Sequence, residues 1–411
     1  MFTEWRRRLL RPAEWTTGDW ILSALCSWLV LCTIVTVRLA VQKEARHTVY
    51  PIFTLAAENW SAGESLYGNR EFLYRYAPVC APAMAPFAAL PPRLGEILWR
   101  AFNLAIFAWG ARSLLRSLAP ELDSRRLAWL ALIALPIAGA SLNNGQVNLM
   151  LAGLLAGAVG QSAQGRWNSA AACLAIAGWI KLYPAVLAIM LVFFFPRQLG
   201  LRLALATAAG ALLPFLTQRF DYVADAYRGW TAFLGTDFRM EVEVLHGNRD
   251  AWQLLRAFGL PLELSGYRVM QAGTAGAIGL YCLFGWGAQW TAARRLATAY
   301  ALGTAWMLAF GPATESSTYT LVALLAGWAL VDPKGETEPV WSAGMLYFGA
   351  ACLLSCELAN IFPFAKYVHA LGLQPLGTIL LGARFWVGGR PGGFEAPAAE
   401  TATAEWRWQP A

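Results

Sequence analysis

The sequence has 411 residues, of which 57% are hydrophobic and only 14% are charged. A soluble domain is about a quarter charged, so this composition excludes an ordinary soluble protein. The net charge of +7 comes from arginines that often lie beside apolar stretches rather than in one basic domain, which excludes a nucleic-acid-binding protein.

Long apolar stretches separated by short charged clusters run along the chain. Because a helix of about 20 apolar residues crosses a bilayer, they predict an all-α polytopic membrane protein with about twelve transmembrane helices. The predicted spans are 20–41, 77–91, 97–117, 127–142, 147–163, 168–195, 203–217, 268–290, 297–311, 317–332, 340–358 and 368–388. We expect residues 1–390 to form a single transmembrane domain and residues 391–411 to form a disordered cytoplasmic tail.

Basic residues predict the orientation of the chain. Four arginines precede the first span, which favours a cytoplasmic N-terminus. An even number of spans then places the C-terminus in the cytoplasm as well. The expected location is a bacterial inner membrane. The later basic loops mostly agree with this orientation. The residues that fall on the cytoplasmic side are Arg197, Arg202, Arg294, Arg295, Lys334, Arg384 and Arg390.

One loop disagrees with this count. The arginines that surround it are Arg112, Arg116, Arg125 and Arg126, and the count places them outside. The short span 77–91 also carries three prolines, Pro78, Pro82 and Pro86, on one helical face. Two explanations stay open: segment 77–91 is a broken or re-entrant helix, or the arginines have a function outside.

Two polar stretches are too long to be turns. Residues 42–76 and 218–267 both fall outside on this count, and long loops in compact proteins are usually functional. Their aromatic residues are typical of short helices that lie in the membrane interface. Neither loop is large enough to be a nucleotide-binding domain.

Lys181 is the clearest functional candidate because it lies near the middle of the apolar stretch 168–195. As one helix, that stretch would extend about 42 Å at 1.5 Å per residue, so the ammonium could not easily reach an interface. Pro184 would kink the helix beside it. The alternatives are a structural ion pair or a span that ends near Lys181.

Further polar residues lie at the ends of predicted spans. The stretch SLNNGQVNLM offers Gln146 and Asn148, or else forms a simple polar turn. An Arg at a membrane interface can hold a phosphate through paired hydrogen bonds, and Arg75, followed by Tyr76, lies there. Two further candidates, Arg249 and Asp250, lie in the second loop. Glu315 is another candidate, with a helix N-cap as its alternative role. The last candidate is His47, which would otherwise be an ordinary surface histidine.

Several motifs in one order resemble glycosyltransferase family 87. They are TLAAENWSAGESLY, YRYAPVCAPAMAPFAALP, NNGQVNLMLAGLLAGA and AGWIKLYPAVLAI, within residues 45–330. This family includes the mycobacterial polyprenol-phosphate-mannose-dependent mannosyltransferases of the GT-C superfamily. The resemblance implies a GT-C-like bundle that uses a polyprenyl-phosphate sugar donor on the outer face. Gln146 and Asn148 match the family's G-Q-x-N positions, and Lys181 and Tyr183 match its K-x-Y-P positions.

The first loop departs from the family pattern. Family members usually carry an Asp there, thought to be the catalytic base, whereas this chain reads KEARHTVYPIF and has His47 at roughly that place. The acids of the loop are Glu44, Glu58, Glu64 and Glu71. The later N-Q-S motif is replaced by GNRDAW.

Sugar transfer with inversion needs a base for the acceptor hydroxyl and cations for the departing phosphate. The predicted phosphate ligands are Lys181, Arg75 and Arg249. The rest of the predicted substrate site consists of Tyr76, Gln146, Asn148 and Tyr183. Asp250, Glu315 and His47 are the predicted bases. We expect transfer of a hexose or pentose, mannose first among them, to a lipid or glycan acceptor.

No cofactor is required by the sequence. Some members of the superfamily use a divalent cation, but no tight carboxylate cluster here demands one. The expected partners are the lipid-linked donor, the acceptor and membrane lipids. The alternatives are a transporter of lipid-linked or small solutes, which the central Lys would also suit, and a non-catalytic family member.

Overall fold

A computed structural model describes residues 15–41, 48–67, 74–235, 248–260, 262–311, 314–332, 339–360, 362 and 364–387. Every regular element in these ranges is helical, which confirms the predicted all-α membrane fold. The first nine helices are α1 (Thr17–Val41), α2 (Tyr50–Ala62), α3 (Cys80–Ala83), α4 (Ala85–Ala88), α5 (Pro92–Leu118), α6 (Ser124–Asn144), α7 (Asn148–Ala163), α8 (Trp167–Ile180) and α9 (Ala185–Phe194).

The second half of the chain continues the bundle. Its helices are α10 (Pro196–Leu212, extended by the 3-10 turn Leu213–Leu216), α11 (Phe220–Leu234), α12 (Ala251–Ala257), α13 (Leu264–Gly287), α14 (Ala292–Phe310), the 3-10 segment Ser316–Val322 followed by α15 (Ala323–Val331), α16 (Val340–Ala359), α17 (Ala365–Ala370) and α18 (Leu373–Val387). Among the described residues, α1, α6, α10 with its extension and α16 are long and apolar enough to cross a membrane.

Hydrogen bonds between distant segments identify one end of the bundle, which we call the loop face. Here the Val49 amide donates to Asn144 O at 3.0 Å, and the Ala77 amide donates to Trp179 O at 3.3 Å. The second loop joins them, because Gln218 Nε2 donates to Trp60 O at 2.6 Å. The loop face therefore contains the described residues of both long loops that form these bonds, together with the C-terminal ends of α6 and α8.

The prediction that 77–91 spans the membrane is wrong. This stretch forms the short helices α3 and α4, which pack against α2 at the loop face, where Tyr50 OH donates to Phe87 O at 3.0 Å. Each proline removes a backbone donor, so the stretch cannot continue as one helix. As a result α5 begins at the loop face and runs away from it.

The four arginines around the loop between α5 and α6 are explained by this path of the chain. Because α5 runs away from the loop face, Arg112, Arg116, Arg125 and Arg126 lie at the opposite end, which we call the basic face. Arg125 lies 5.9 Å from the ring of Trp20, near the start of α1. Arg202 Nε donates to Asn168 Oδ1 at 2.9 Å, which brings the starts of α8 and α10 together at the same end. The arginines around the loop between α5 and α6 and Arg202 of α10 therefore lie on one face.

The prediction of a single helix over 168–195 is also wrong. Helix α8 ends at Ile180, Lys181 has extended backbone angles (φ −145°, ψ 146°), and α9 begins at Ala185. The rings of Trp167 and Phe195 lie 5.2 Å apart, so α8 and α9 form a hairpin. Lys181 therefore lies at the loop-face end of α8 and not in the middle of a long helix.

Close packing of α7 against α5 fixes the centre of the bundle. Nearly every residue of α7 is buried, and a Cβ on Gly110 of α5 would overlap the carbonyl of Gly153 in α7. Small residues permit such close approach of helices in membranes. The start of α7, at Asn148, is held rigidly at the loop face as a consequence.

Candidate active site

The turn between α6 and α7 carries two of the predicted site residues, Gln146 and Asn148. Gly145 ends α6 with a left-handed φ of 65°, which residues other than glycine rarely adopt. Arg100 Nε donates to Leu142 O at 2.8 Å, and its second terminal nitrogen donates to Asn143 O at 2.9 Å. A cation at these carbonyls of the last helical turn also complements the negative end of the helix dipole.

An ion pair holds Arg100 in place. Its guanidinium lies 2.9 Å from Glu96 Oε1, and the residue is only 4% exposed. Thr48 Oγ1 donates to the same Glu96 oxygen at 2.6 Å. Thr48 directly follows His47 in the sequence, so this clamp of Arg100, Glu96 and Thr48 ties the first loop to the turn that carries Gln146.

A hydrogen-bonded chain connects Lys181 with Glu315, and we call it the Lys181 chain. Lys181 Nζ donates to Asn148 Oδ1 at 3.0 Å, and Asn148 Nδ2 donates to Gln146 Oε1 at 2.5 Å. Gln146 Nε2 in turn donates to Glu315 Oε2 at 2.8 Å. Asn148 is fully buried, whereas Lys181 is half-buried and Glu315 is exposed. The chain thus joins a cation and an anion through two amides at the loop face.

Glu315 has two roles at once. It caps the following 3-10 segment in a reciprocal capping box with Thr318, which is the structural role considered from the sequence. Its Oε2 atom also accepts the bond from Gln146, and the neighbouring Ser317 Oγ donates to Gln146 Oε1 at 2.5 Å. Capping fixes the direction of the carboxylate while leaving it open to solvent.

Arg75 and Tyr76 lie beside the Lys181 chain. Arg75 is exposed and lies 5.9 Å from the ring of Phe233 in α11. Lys181 experiences the opposite charge of Glu315 and the like charge of Arg75. Burial raises the pKa of the half-buried Tyr76, so its hydroxyl stays protonated. The tyrosine of the K-x-Y-P motif, Tyr183, is buried, and its ring lies 5.6 Å from Lys181 Nζ.

The second-loop candidates are held by the backbone near Glu315. The Arg249 amide donates to Thr314 O at 2.6 Å, and burial lowers the pKa of its guanidinium. Asp250 is fully buried and caps α12 by accepting from the Gln253 amide at 3.1 Å. His47 lies outside the described residues, as do the rest of the residues before Thr48 in the first loop.

A family model described as glycosyltransferase family 87 matches residues 74–312, more than half of the chain. The chain belongs to glycosyltransferase family 87. This membership confirms the family predicted from the motifs, and it makes the protein a membrane glycosyltransferase. The family-87 match contains Gln146, Asn148 and Lys181 and ends just before Glu315.

Solved structures of one protein are similar to this family-87 chain. ArnT from Cupriavidus metallidurans in the apo state is 14% identical with a TM-score of 0.41, over 89% of this chain and 77% of that chain. ArnT bound to undecaprenyl phosphate is 16% identical with a TM-score of 0.42, over 87% of this chain and 77% of that chain. Comparison with curated protein sequences gives no match.

A second polar network, which sequence analysis missed, lies beyond the family-87 match. It joins Glu357, Asn360, His369, Gln374 and Ser316, and we call it the Glu357 ring. One signal could have revealed it, because an acid near the end of an apolar span is a functional candidate by default. The partners of that acid could not be read from the sequence, since they come from three separate segments.

The described residues contain no group of three or more His, Cys, Asp and Glu side chains that could hold a metal ion. The charged side chains of the Lys181 chain that are exposed or half-buried are Lys181 and Glu315, with Arg75 beside them.

Proposed function

We propose that this family-87 enzyme transfers a hexose or pentose from a polyprenyl-phosphate-linked donor to a lipid or glycan acceptor, with mannose as the first sugar to test. The observation that carries the proposal is the Lys181 chain, which places a half-buried ammonium and an exposed carboxylate at one face of a membrane bundle. A lipid-linked donor needs a cation where its phosphate meets the membrane surface, and it needs no soluble nucleotide domain.

Lys181 is suited to hold the donor phosphate. An ammonium has three N–H donors, and one of them binds Asn148 within the described residues. The remaining donors can bind phosphate oxygens in surroundings of low dielectric, where charge-assisted bonds are strong. Arg75 adds a second, exposed cation on the same side. Two cations can together balance the additional negative charge that the phosphate gains as the sugar leaves.

Glu315 is the preferred base among the three candidates. In the transfer step the acceptor hydroxyl oxygen bonds to the anomeric carbon while the bond from that carbon to the phosphate oxygen breaks. The phosphate keeps the bonding electron pair, and the hydroxyl proton passes to the base. Asp250 is fully buried and caps a helix, whereas Glu315 is exposed and already oriented by Gln146.

We place the loop face outside and the basic face, with both termini, in the cytoplasm of a bacterial inner membrane, because arginines are retained on the cytoplasmic side. In a variant without native cysteines, Ser65→Cys on the loop face should react with an impermeant thiol reagent in intact cells. The matched Ser124→Cys on the basic face should react only after the membrane is opened. The reverse pattern would invert the proposed orientation.

The function itself is tested with purified protein in detergent. We expect transfer of labelled sugar from polyprenyl-phosphate donors and none from the corresponding nucleotide sugars. Uptake of an intact lipid-linked solute into proteoliposomes without transfer would support the transporter alternative. Donor binding without turnover for every sugar and acceptor tested would support a non-catalytic family member.

A further inference from the structure

The Glu357 ring is a closed circuit of five side chains. Asn360 Nδ2 donates to Glu357 Oε2 at 3.1 Å, and Asn360 Oδ1 lies 2.9 Å from His369 Nε2. Gln374 Nε2 donates to Glu357 Oε1 and to Ser316 Oγ, both at 2.9 Å. Ser316 Oγ lies 3.5 Å from His369 Nδ1 and closes the circuit.

One arrangement of protons satisfies the whole circuit. Asn360 Oδ1 can only accept, so His369 Nε2 must carry the proton between them. In the neutral imidazole Nδ1 then accepts from the Ser316 hydroxyl. Gln374 uses both amide hydrogens, and Glu357 accepts with both oxygens. With His369 neutral, every donor within the circuit has an acceptor.

The circuit leaves little freedom at Ser316. Glu357, His369 and Gln374 are each at most 7% exposed and come from α16, α17 and α18. Together they hold the side chain of Ser316. The two sequence neighbours of Ser316, which are Glu315 and Ser317, both bind Gln146 of the Lys181 chain. Three consecutive residues thus connect two networks that are otherwise built from different helices.

We infer that the Glu357 ring is a positioning device that fixes Ser316 and thereby aims the Glu315 carboxylate at the acceptor hydroxyl. This inference rests on the proposed function, in which Glu315 is the base. Glu357, His369 and Gln374 act through Ser316 and do not touch the reacting atoms. A base displaced by about 1 Å can lose a hundredfold in rate, so breaking the ring should lower kcat.

The test uses an acid–amide exchange. Gln374→Glu places a second carboxylate against Glu357 and breaks the ring. The exchanged pair Glu357→Gln with Gln374→Glu again has one acid and one amide at the two facing positions. Ser316→Ala separates the ring from Glu315 with the loss of a single hydroxyl, so it serves if Gln374→Glu does not fold. Thr378→Val is the matched control on α18, since Thr378 is fully buried and its hydroxyl has no partner in the described part of the chain.

We expect Gln374→Glu and Ser316→Ala to lower kcat between about tenfold and a hundredfold with donor affinity unchanged. The exchanged pair should recover most of kcat, and Thr378→Val should retain it. An unchanged kcat in Ser316→Ala, or equal losses in kcat and donor affinity, would overturn the inference.

A second readout does not depend on sugar transfer. A carbodiimide couples an amine to exposed carboxylates, and peptide mass spectrometry gives the labelling rate at Glu315. We expect this rate to change severalfold in Ser316→Ala and to stay at the wild-type value in Thr378→Val. If the wild type transfers no sugar but the labelling rates differ in this way, the proposed function fails and the positioning role stands. Equal labelling rates in all variants would overturn the positioning role.

Discussion

The Lys181 chain and the Glu357 ring meet at Glu315, Ser316 and Ser317 but are built differently. The chain is open: it has a half-buried cation at one end and an exposed anion at the other. The ring is closed, and all but one of its polar groups bind within it or next to it. An open chain with charges of both signs can bind a substrate, whereas a closed circuit can only hold its members in place.

The two networks also differ in how they are supported. The turn of the Lys181 chain depends on the buried ion pair of Arg100 and Glu96, which also connects it to the first loop. The Glu357 ring is joined by neutral amides, a hydroxyl and an imidazole around a single acid. Substitutions in the clamp should therefore act mainly on stability, and substitutions at the open ends should act on catalysis and binding.

The largest effect is expected for Arg100→Met. Removing one partner of a buried ion pair leaves Glu96 uncompensated, which costs about 3–5 kcal/mol of stability. The double variant Arg100→Met with Glu96→Gln should recover part of this loss because no buried charge is left unpaired. Thermal unfolding in detergent measures both. A single variant as stable as the wild type would show that the clamp does not hold the turn.

The next largest effect is expected for Glu315→Gln. The amide keeps the shape of the carboxylate but cannot take the acceptor proton, so turnover should fall at least about a hundredfold while donor binding survives. Asp250→Asn serves as the comparison and should act mainly through the lost helix cap, at about 1 kcal/mol of stability. If Glu315→Gln retains normal turnover, the base lies elsewhere, and His47→Ala and Glu58→Gln become the variants to measure.

The third effect concerns the cation of the chain. Lys181→Met should leave expression and folding nearly intact and weaken donor binding by about 1.5–3 kcal/mol, the usual contribution of a hydrogen bond to a charged group. Lys366→Met is the control, because Lys366 is an exposed lysine on α17 outside both networks. Binding of a labelled polyprenyl phosphate compares the two. Equal affinity in both variants would return Lys181 to a structural role.

Sequence patterns predicted the class of fold, the family and the members of the Lys181 chain, since hydropathy and short motifs carry that information. They did not predict the path of the chain between residues 77 and 195. The stretch 168–195 is apolar throughout, so nothing in its hydropathy marks the extended backbone at Lys181. The chain has two short helices, α3 and α4, where one span was expected at 77–91, and two helices, α8 and α9, where one was expected at 168–195.

The Glu357 ring was beyond prediction for a different reason. Its members are common residues that bind one another across 58 positions between Ser316 and Gln374. Such contacts depend on how α16 and α18 pack, and no local pattern encodes them. Glu315 shows the same limit, because capping was visible in the sequence and the bond to Gln146, 169 positions away, was not.

The smallest effect is expected for pH. Burial, and then the positive charge of Arg249, lower the pKa of His369. The folded protein therefore binds fewer protons at His369 than the unfolded chain, and stability should fall as the pH falls below about 6.5, the ordinary pKa of histidine. The other charged or ionisable side chains near the ring, Arg249, Glu357 and Glu315, are present in the wild type and in a variant alike.

His369→Gln isolates the contribution of this histidine. The variant has no imidazole to protonate, so its apparent Tm in detergent should fall less between pH 7.5 and about pH 5 than that of the wild type. The other two histidines, His47 and His246, are present in both proteins, and their effects cancel in the difference between the two curves. Parallel curves would mean that His369 takes up a proton as easily in the folded protein as in the unfolded chain. The neutral histidine of the closed ring would then be wrong.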